Sequence, residues 1–146
     1  MIHYDVIVVG IGASGLVAAS RAAELGLDVL AVEKNKRAGR KLLITGKGRC
    51  NITNTAEQSD YFKHIQPRGR FLKHAFSRFF SEDILQLLGD YGVETTEERG
   101  GRVFPSSNRS EDVLEALLKK ARDYGVEFRF GCRINKVLSE NNHVKG

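Results

Sequence analysis

A glycine pattern, Gly10-Ile11-Gly12-Ala13-Ser14-Gly15, sits directly between a β-branched apolar run and a stretch of good helix formers, and few folds accommodate that order. Tyr4 to Val9 is short, apolar and without polar alternation, which suits a strand covered on both faces, as in a parallel sheet. Leu16 to Leu25 carries Ala18, Ala19, Ala22 and Ala23, whose small side chains favour a helix lying close to a strand. Gly26 is placed to stop that helix, and Asp28 to Val32 reads as a second strand ending at Glu33. The order predicts a βαβ unit of about 30 residues.

Glycine makes up 15 of the 146 residues, so the spacing Gly10-x-Gly12-x-x-Gly15 is weak without its context. Here the context is complete: a strand before, a helix after, and Glu33 at the second strand's tip, 18 residues past Gly15. These are the requirements of a dinucleotide-binding fingerprint. Gly10 allows the tight turn, Gly12 keeps a Cβ away from a pyrophosphate, and Gly15 lets helix and strand approach. The helix N-terminus then offers N–H groups and a partial positive charge to phosphates. Glu33 is placed to accept hydrogen bonds from the adenosine ribose, and its charge disfavours a 2′-phosphate, hence NADP, at this position.

The net charge of +5 raises the question of nucleic acid, which the distribution of charge answers. Residues 34–49 hold Lys34, Lys36, Arg37, Arg40, Lys41, Lys47 and Arg49 and no acid, which leaves 16 basic against 18 acidic residues elsewhere. One localised, glycine-rich cationic segment favours a compact phosphate ligand over a long polyanion. A second stretch interleaves Tyr61, Phe62, Phe71 and Phe76 with Lys63, Arg68, Arg70, Lys73 and Arg78. The helical spacing of Phe71, Leu72, Ala75, Phe76, Phe79 and Phe80 predicts one amphipathic helix there, with a core face and a solvated back rather than a single-strand binding face. No nucleic-acid partner is expected. The longest nearly apolar run, Val6 to Ala19, is broken by three glycines and a serine and is shorter than the roughly 20 residues of a membrane helix. With no basic leader at the N-terminus, a cytoplasmic protein is expected. Cys50 and Cys132 have no metal-ligand spacing, nor do the four histidines, so neither a zinc site nor a disulfide framework is expected.

Further along, Ser81-Glu82-Asp83-Ile84-Leu85 and Ser110-Glu111-Asp112-Val113-Leu114 each open a helix that leads to Asp-Tyr-Gly-Val-Glu. Each is expected to have a serine N-cap, two acids in its first turn and a glycine stop. The same helix punctuation used twice explains this better than a true repeat. Val126 to Phe130 reads as a third strand and Arg133 to Leu138 as a fourth, with Glu140-Asn141-Asn142 turning into His143-Val144-Lys145-Gly146. The sequence stops inside what reads as a further strand. The chain is therefore expected to be the N-terminal part of a longer polypeptide, with one flank of the first strand left open.

The segment that separates FAD from NAD is Gly39-Arg40-Lys41-Leu42-Leu43-Ile44-Thr45-Gly46-Lys47-Gly48-Arg49-Cys50-Asn51-Ile52-Thr53-Asn54, a cationic loop suited to an extended ligand. This run resembles the signature of the BaiN/YhiN-like flavoproteins, also called the aminoacetone oxidase family, and the resemblance spans all 146 residues. The sequence departs from the family pattern at Thr45, commonly serine, and at Lys47, commonly glycine. The resemblance implies an α/β, Rossmann-like FAD-binding domain of the two-dinucleotide-binding-domain flavoprotein type, with residues 1–146 as its N-terminal part and the substrate domain outside this chain. It further implies that Gly10, Gly12, Ala13, Ser14, Gly15, Glu33 and Lys34 serve the ADP half, and that Gly39, Arg40 and Lys41 follow the pyrophosphate and ribityl chain. Gly46, Gly48, Arg49, Cys50 and Asn51 would approach the isoalloxazine, and the strand at Arg133-Ile134 would read the adenine. The cations around Cys50 favour its thiolate, but with no second cysteine nearby it is read as a small residue at the ring, and no catalytic residue is assigned.

The function implied is that of an FAD-dependent oxidoreductase, passing electrons between NAD(P)H and a small organic substrate, with this chain inactive alone. The alternative is a non-catalytic dinucleotide-binding or sensing module, separated from the first by flavin reduction with NADH or NADPH on the longer protein. Replacing Arg40 and Lys41 together by alanine is expected to weaken FAD retention, with the larger loss at low ionic strength. Titrations at two salt concentrations check this. Unchanged affinity there, with a loss in Lys73→Ala/Arg78→Ala, would assign the anion to the other basic cluster.

Overall fold

The computed structural model describes residues 3–65 and 69–145, Arg70 by its backbone alone; Arg68, the Arg70 side chain and Gly146, named above, lie outside the described residues. The chain divides into two units, Met1–Lys41 with Leu117–Gly146, and Leu42–Ala116.

The first unit is the expected βαβ start. β1 (Val6–Val9), α1 (Ala13–Glu24) and β2 (Val29–Glu33) are followed, beyond the end of α5 (Ser110–Asp123), by β6 (Glu127–Phe130). The sheet order is β1-β2-β6, all parallel, with Val6 opposite Val29 and Glu33 opposite Phe130. All five residues of β2 are buried, so the doubly covered strand is the central one. β1, expected to be covered on both faces, is an edge strand whose Ile7 and Val9 are 48% and 63% exposed. Its apolar run reflects parallel pairing, but α1 covers one face only. α1 buries Leu16, Ala19, Ser20 and Ala23, and its close approach is made possible by Gly15. A Cβ added there would stand 1.9 Å from the Gly10 carbonyl oxygen. At its far end Glu24 meets Lys120 Nζ at 3.4 Å and Tyr124 Oη at 3.3 Å, which ties α1 to the last turn of α5.

The fourth strand expected at Arg133–Leu138 is absent. Past β6 the Gly131 N–H donates to the Asn35 carbonyl at 3.0 Å and the Cys132 N–H to the Glu33 carbonyl at 2.9 Å. The backbone thus crosses the end of β2 instead of running beside a strand, and residues 132–138 stay irregular and exposed. A short hairpin follows, β7 (Ser139–Glu140) and β8 (His143–Val144), turning at Asn141 and Asn142 with φ of 51° and 61°. That is the left-handed pair a two-residue hairpin loop demands, and it fits the expected turn.

In the second unit, β3 (Thr53–Asn54), β5 (Arg102–Pro105) and β4 (Thr95–Glu98) form an antiparallel sheet in the order β3-β5-β4. Around it lie α2 (Gln58–His64), α3 (Lys73–Phe76), α4 (Ser81–Asp90) and the first turns of α5. The single amphipathic helix expected over residues 71–80 is broken into a 3-10 turn, Gly69–Leu72, and the one turn of α3. Phe76 and Phe80 pack edge-on against Tyr61, at 5.9 and 4.9 Å between ring centroids, whereas Phe71 is 76% exposed. The helix ends early because Phe80, at φ −133° and ψ −161°, is extended and leads into α4. The serine caps also differ. Ser81 and Ser110 are already the first helical residues, and their hydroxyls donate to the carbonyls of Asn54 at 3.0 Å and Leu43 at 3.1 Å. At α4 the Asp83 carboxylate instead accepts the Phe80 N–H at 2.7 Å. Among the described residues no helix is long and apolar enough to cross a membrane.

Two glycines offer a matched test of these packing statements. Gly15→Ala is expected to cost about 1–3 kcal/mol, because backbone must move to admit the methyl group. Gly89→Ala, in α4 where a Cβ meets nothing within 4 Å, is expected to stabilise by about 0.5–1 kcal/mol. Urea unfolding of the two variants against the parent chain measures both.

Candidate functional site

The site in the first unit is built around residue 11. The Gly10 N–H donates to the Val32 carbonyl at 2.7 Å and its φ is +100°, a conformation L side chains rarely adopt. Ile11 is 1% exposed. Its N–H donates to Glu33 Oε2 at 3.0 Å, and its carbonyl accepts the Gly39 N–H at 2.8 Å. The chain then enters α1 through Gly12, extended at φ −98° and ψ −172°, with no side chain capping the helix. A Cβ at Gly12 meets nothing within 4 Å. The first turn holds no acidic residue, and Ala13 and Ser14 are exposed. The first N–H groups of an α-helix have no partner within it, so this end offers donors and a positive dipole end in a place with room for a ligand.

Glu33 closes the other side. Its Oε1 accepts the Asn35 N–H at 2.9 Å and Asn35 Nδ2 at 2.5 Å. Burial pushes its carboxyl group up, but the hydrogen bonds from Asn35 and Ile11, with the charge of Lys34, outweigh this and hold it below the usual carboxylate range. A buried acid kept ionised by three protein donors is an acceptor suited to sugar hydroxyls. Lys34, Arg40 and Lys41 are exposed beside a buried Gly39. The structure thus gathers Gly10, Gly12, Ala13, Ser14, Gly15, Glu33, Lys34 and Gly39 about Ile11, with Arg40 and Lys41 following. Ile134 lies two residues past the Cys132 bond to Glu33, in irregular backbone rather than the strand foreseen, and is 41% exposed.

The signature residues in the second unit make a separate constellation. The turn at Leu42–Gly48 breaks at Thr45, whose hydroxyl donates to the Leu42 carbonyl at 2.7 Å and whose carbonyl accepts the Cys50 N–H at 3.0 Å. Gly46 fits because a Cβ there would come within 3.0 Å of Asn51 N and 3.1 Å of Phe104. Lys47 holds a φ of 58°, a value glycine adopts freely. Arg49 pairs with Glu98 at 2.7 and 3.4 Å, reaches Asn108 at 3.2 Å and stacks 4.1 Å over the Phe104 ring. The Arg49 hydrogen bond in turn holds Glu98 below the usual range. Asn51 donates its side-chain amide to the Thr53 and Val103 carbonyls at 3.0 and 3.2 Å. Cys50 is buried, and burial pushes its thiol up against a lowering from Thr45. The thiolate foreseen from cationic neighbours is therefore not favoured, because burial of the thiol outweighs the hydrogen bond with Thr45.

Sequence reasoning missed Asn35, Ile11, Cys132 and Glu98. Only an asparagine two residues past the acid gave any signal, as a side chain able to bond locally.

Residues 4–146 match the HI0933-like protein Rossmann domain. Over 132 residues the chain is 34% identical to the 3-dehydro-bile acid delta(4,6)-reductase of Clostridium scindens, covering 89% of this chain and 32% of that protein. Over 140 residues it is 29% identical to the ribosomal RNA dihydrouridine synthase of Escherichia coli K12, covering 96% of this chain and 34% of that protein. The chain thus spans about a third of the length of these curated relatives. Its fold is similar to the crystal structure of Thermovibrio ammonificans THI4, with a TM-score of 0.64 at 19% identity, over 93% of this chain and 41% of that one.

Because the folded-state pKa of Glu33 lies below its unfolded value, its contribution to stability is present above the ordinary carboxylate pKa and is lost as pH falls through the folded one. The stability difference between the parent chain and Glu33→Gln is expected to be largest near neutral pH and to shrink in acid. Urea unfolding across a pH series reads this difference, in which the other depressed carboxylates, common to both proteins, cancel.

Proposed function

The chain belongs to the HI0933-like family, and from that premise we propose that its first unit holds the ADP half of FAD in a flavin-dependent oxidoreductase. The observation that carries this is the uncapped N-terminus of α1, open in front of Gly12 and flanked by the ionised Glu33. The residues present fit the group: a Cβ at Gly12 would fill the space a pyrophosphate needs, and the first turn of α1 holds no acidic residue.

In this reading the N–H groups of Gly12, Ala13 and Ser14 bind the pyrophosphate, with Lys34, Arg40 and Lys41 adding positive potential. Glu33 accepts from the ribose, and the irregular backbone from Cys132 to Ile134 borders the adenine. For Gly46, Gly48, Arg49, Cys50 and Asn51 on the flavin side, the support is the sequence resemblance, with Cys50 as a protonated packing residue. FAD, when bound, supplies the hydride chemistry, and the protein positions it and excludes water. NADH or NADPH is the proposed electron source. One relative is named a delta(4,6)-reductase and the other for its dihydrouridine product, which supports a reductive reaction as the class.

Gly12→Val tests the cradle directly. The Cβ it adds meets nothing within 4 Å in the protein itself, so folding is expected to survive while FAD and ADP affinity falls by at least tenfold. Calorimetric titration of both ligands gives the comparison, and unchanged affinity in a folded variant would refute the site.

A further inference from the structure

Glu33 has two oxygens with distinct tasks. A carboxylate offers about four lone-pair sites. Asn35 fills the pair on Oε1, through its backbone N–H and Nδ2, while Oε2 takes the Ile11 N–H and keeps one site open. Asn35 is itself fastened, since its carbonyl accepts the Gly131 N–H at 3.0 Å. Resting on the nucleotide reading above, we propose that Asn35 is a positioning residue: by saturating Oε1 it aims Oε2 at Ile11 and at a ribose hydroxyl, so that the glycine loop holds its anion-receiving shape before nucleotide arrives. Without the Nδ2 donor, Glu33 is free to change rotamer toward solvent. Ile11 then loses the partner of its N–H, and the entry into α1 loosens. Nucleotide binding would have to order the loop, and affinity would fall by that cost.

Nothing in the fold makes this pairing obligatory. Asn35 is only half-buried, lies two residues past the end of β2, and is not among the paired residues of the sheet. Its side chain serves the carboxylate alone among the described residues.

The test begins without ligand. In the nitrogen-15-labelled chain the Ile11 amide is expected to be protected from exchange and shifted by its carboxylate acceptor. Asn35→Asp is close to isosteric and sets a second carboxylate against Glu33. It is expected to raise Ile11 exchange and to weaken ADP binding, each about tenfold, the scale of one hydrogen bond to a charged group. Asn35→Ser restores a donor and is expected to recover most of both effects. Should the aspartate variant fold poorly, Asn35→Ala, which keeps the backbone donor, is expected to show the same changes at smaller size. An Ile11 amide unaltered in the folded variants, or ADP affinity equal to or above that of the parent chain, would overturn the proposal. If the Ile11 amide responds as described but the parent chain binds no ADP, the nucleotide reading fails instead, so the two failures are distinguishable.

Discussion

Ile11 is held three ways: its N–H by the Glu33 carboxylate, its carbonyl by Gly39, and its side chain in the core. That arrangement decides where the chain leaves β1, how it enters α1 and which way the helix's free N–H groups face. It depends on a buried negative charge, which is costly unless fully bonded. Here burial works against the ionised form, and the donors from Asn35 and Ile11 work for it and prevail. The glycine loop and the turn after β2 thus both hang on one carboxylate. The tight fit of Gly15 against the Gly10 carbonyl then fixes α1 on the strand.

The ion pairs on the surface are of another kind. Arg21 with half-buried Glu24 and Lys63 with Asp60 are helix-face contacts three residues apart, which solvent screening weakens. In the second unit Arg49 is more deeply engaged, by Glu98, Asn108 and the Phe104 face together. Within that unit the signature from Gly46 to Asn51 therefore acts first as architecture. Its arginine is neutralised, its asparagine ties the turn to β3 and β5, and its cysteine is a buried neutral thiol.

The sequence made β1, α1, β2 and β6 legible because glycine spacing, small helix residues and β-branched runs report local backbone demands. The residues of the candidate site were legible for the same reason, since Gly12 and Glu33 are set by position along the chain. What escaped depended on distant partners. Thr95–Glu98 is polar and becomes a strand only by pairing with β5. Arg133–Leu138 has strand-like residues, but the Gly131 and Cys132 bonds to residues 35 and 33 take its backbone away from the sheet edge. The phenylalanines of residues 71–80 repeat at helical spacing, yet α3 ends at Phe76 and Phe80 is extended, leading into α4, while both rings pack against Tyr61. Charge along the sequence suggests an activated Cys50, but the fold buries the thiol, and burial raises its pKa. Asn35 carried no motif, and its importance lies in two hydrogen bonds to a single oxygen.

The most direct measurement is a shift map of the labelled chain titrated with ADP, which detects weak binding and reports its place. If the first unit is a nucleotide cradle, the amides of residues 12–15, those of Glu33 and Asn35, and those of residues 131–134 move together with one binding curve. Shifts confined to the basic stretch at Lys73–Arg78, or none at millimolar ADP, would contradict it.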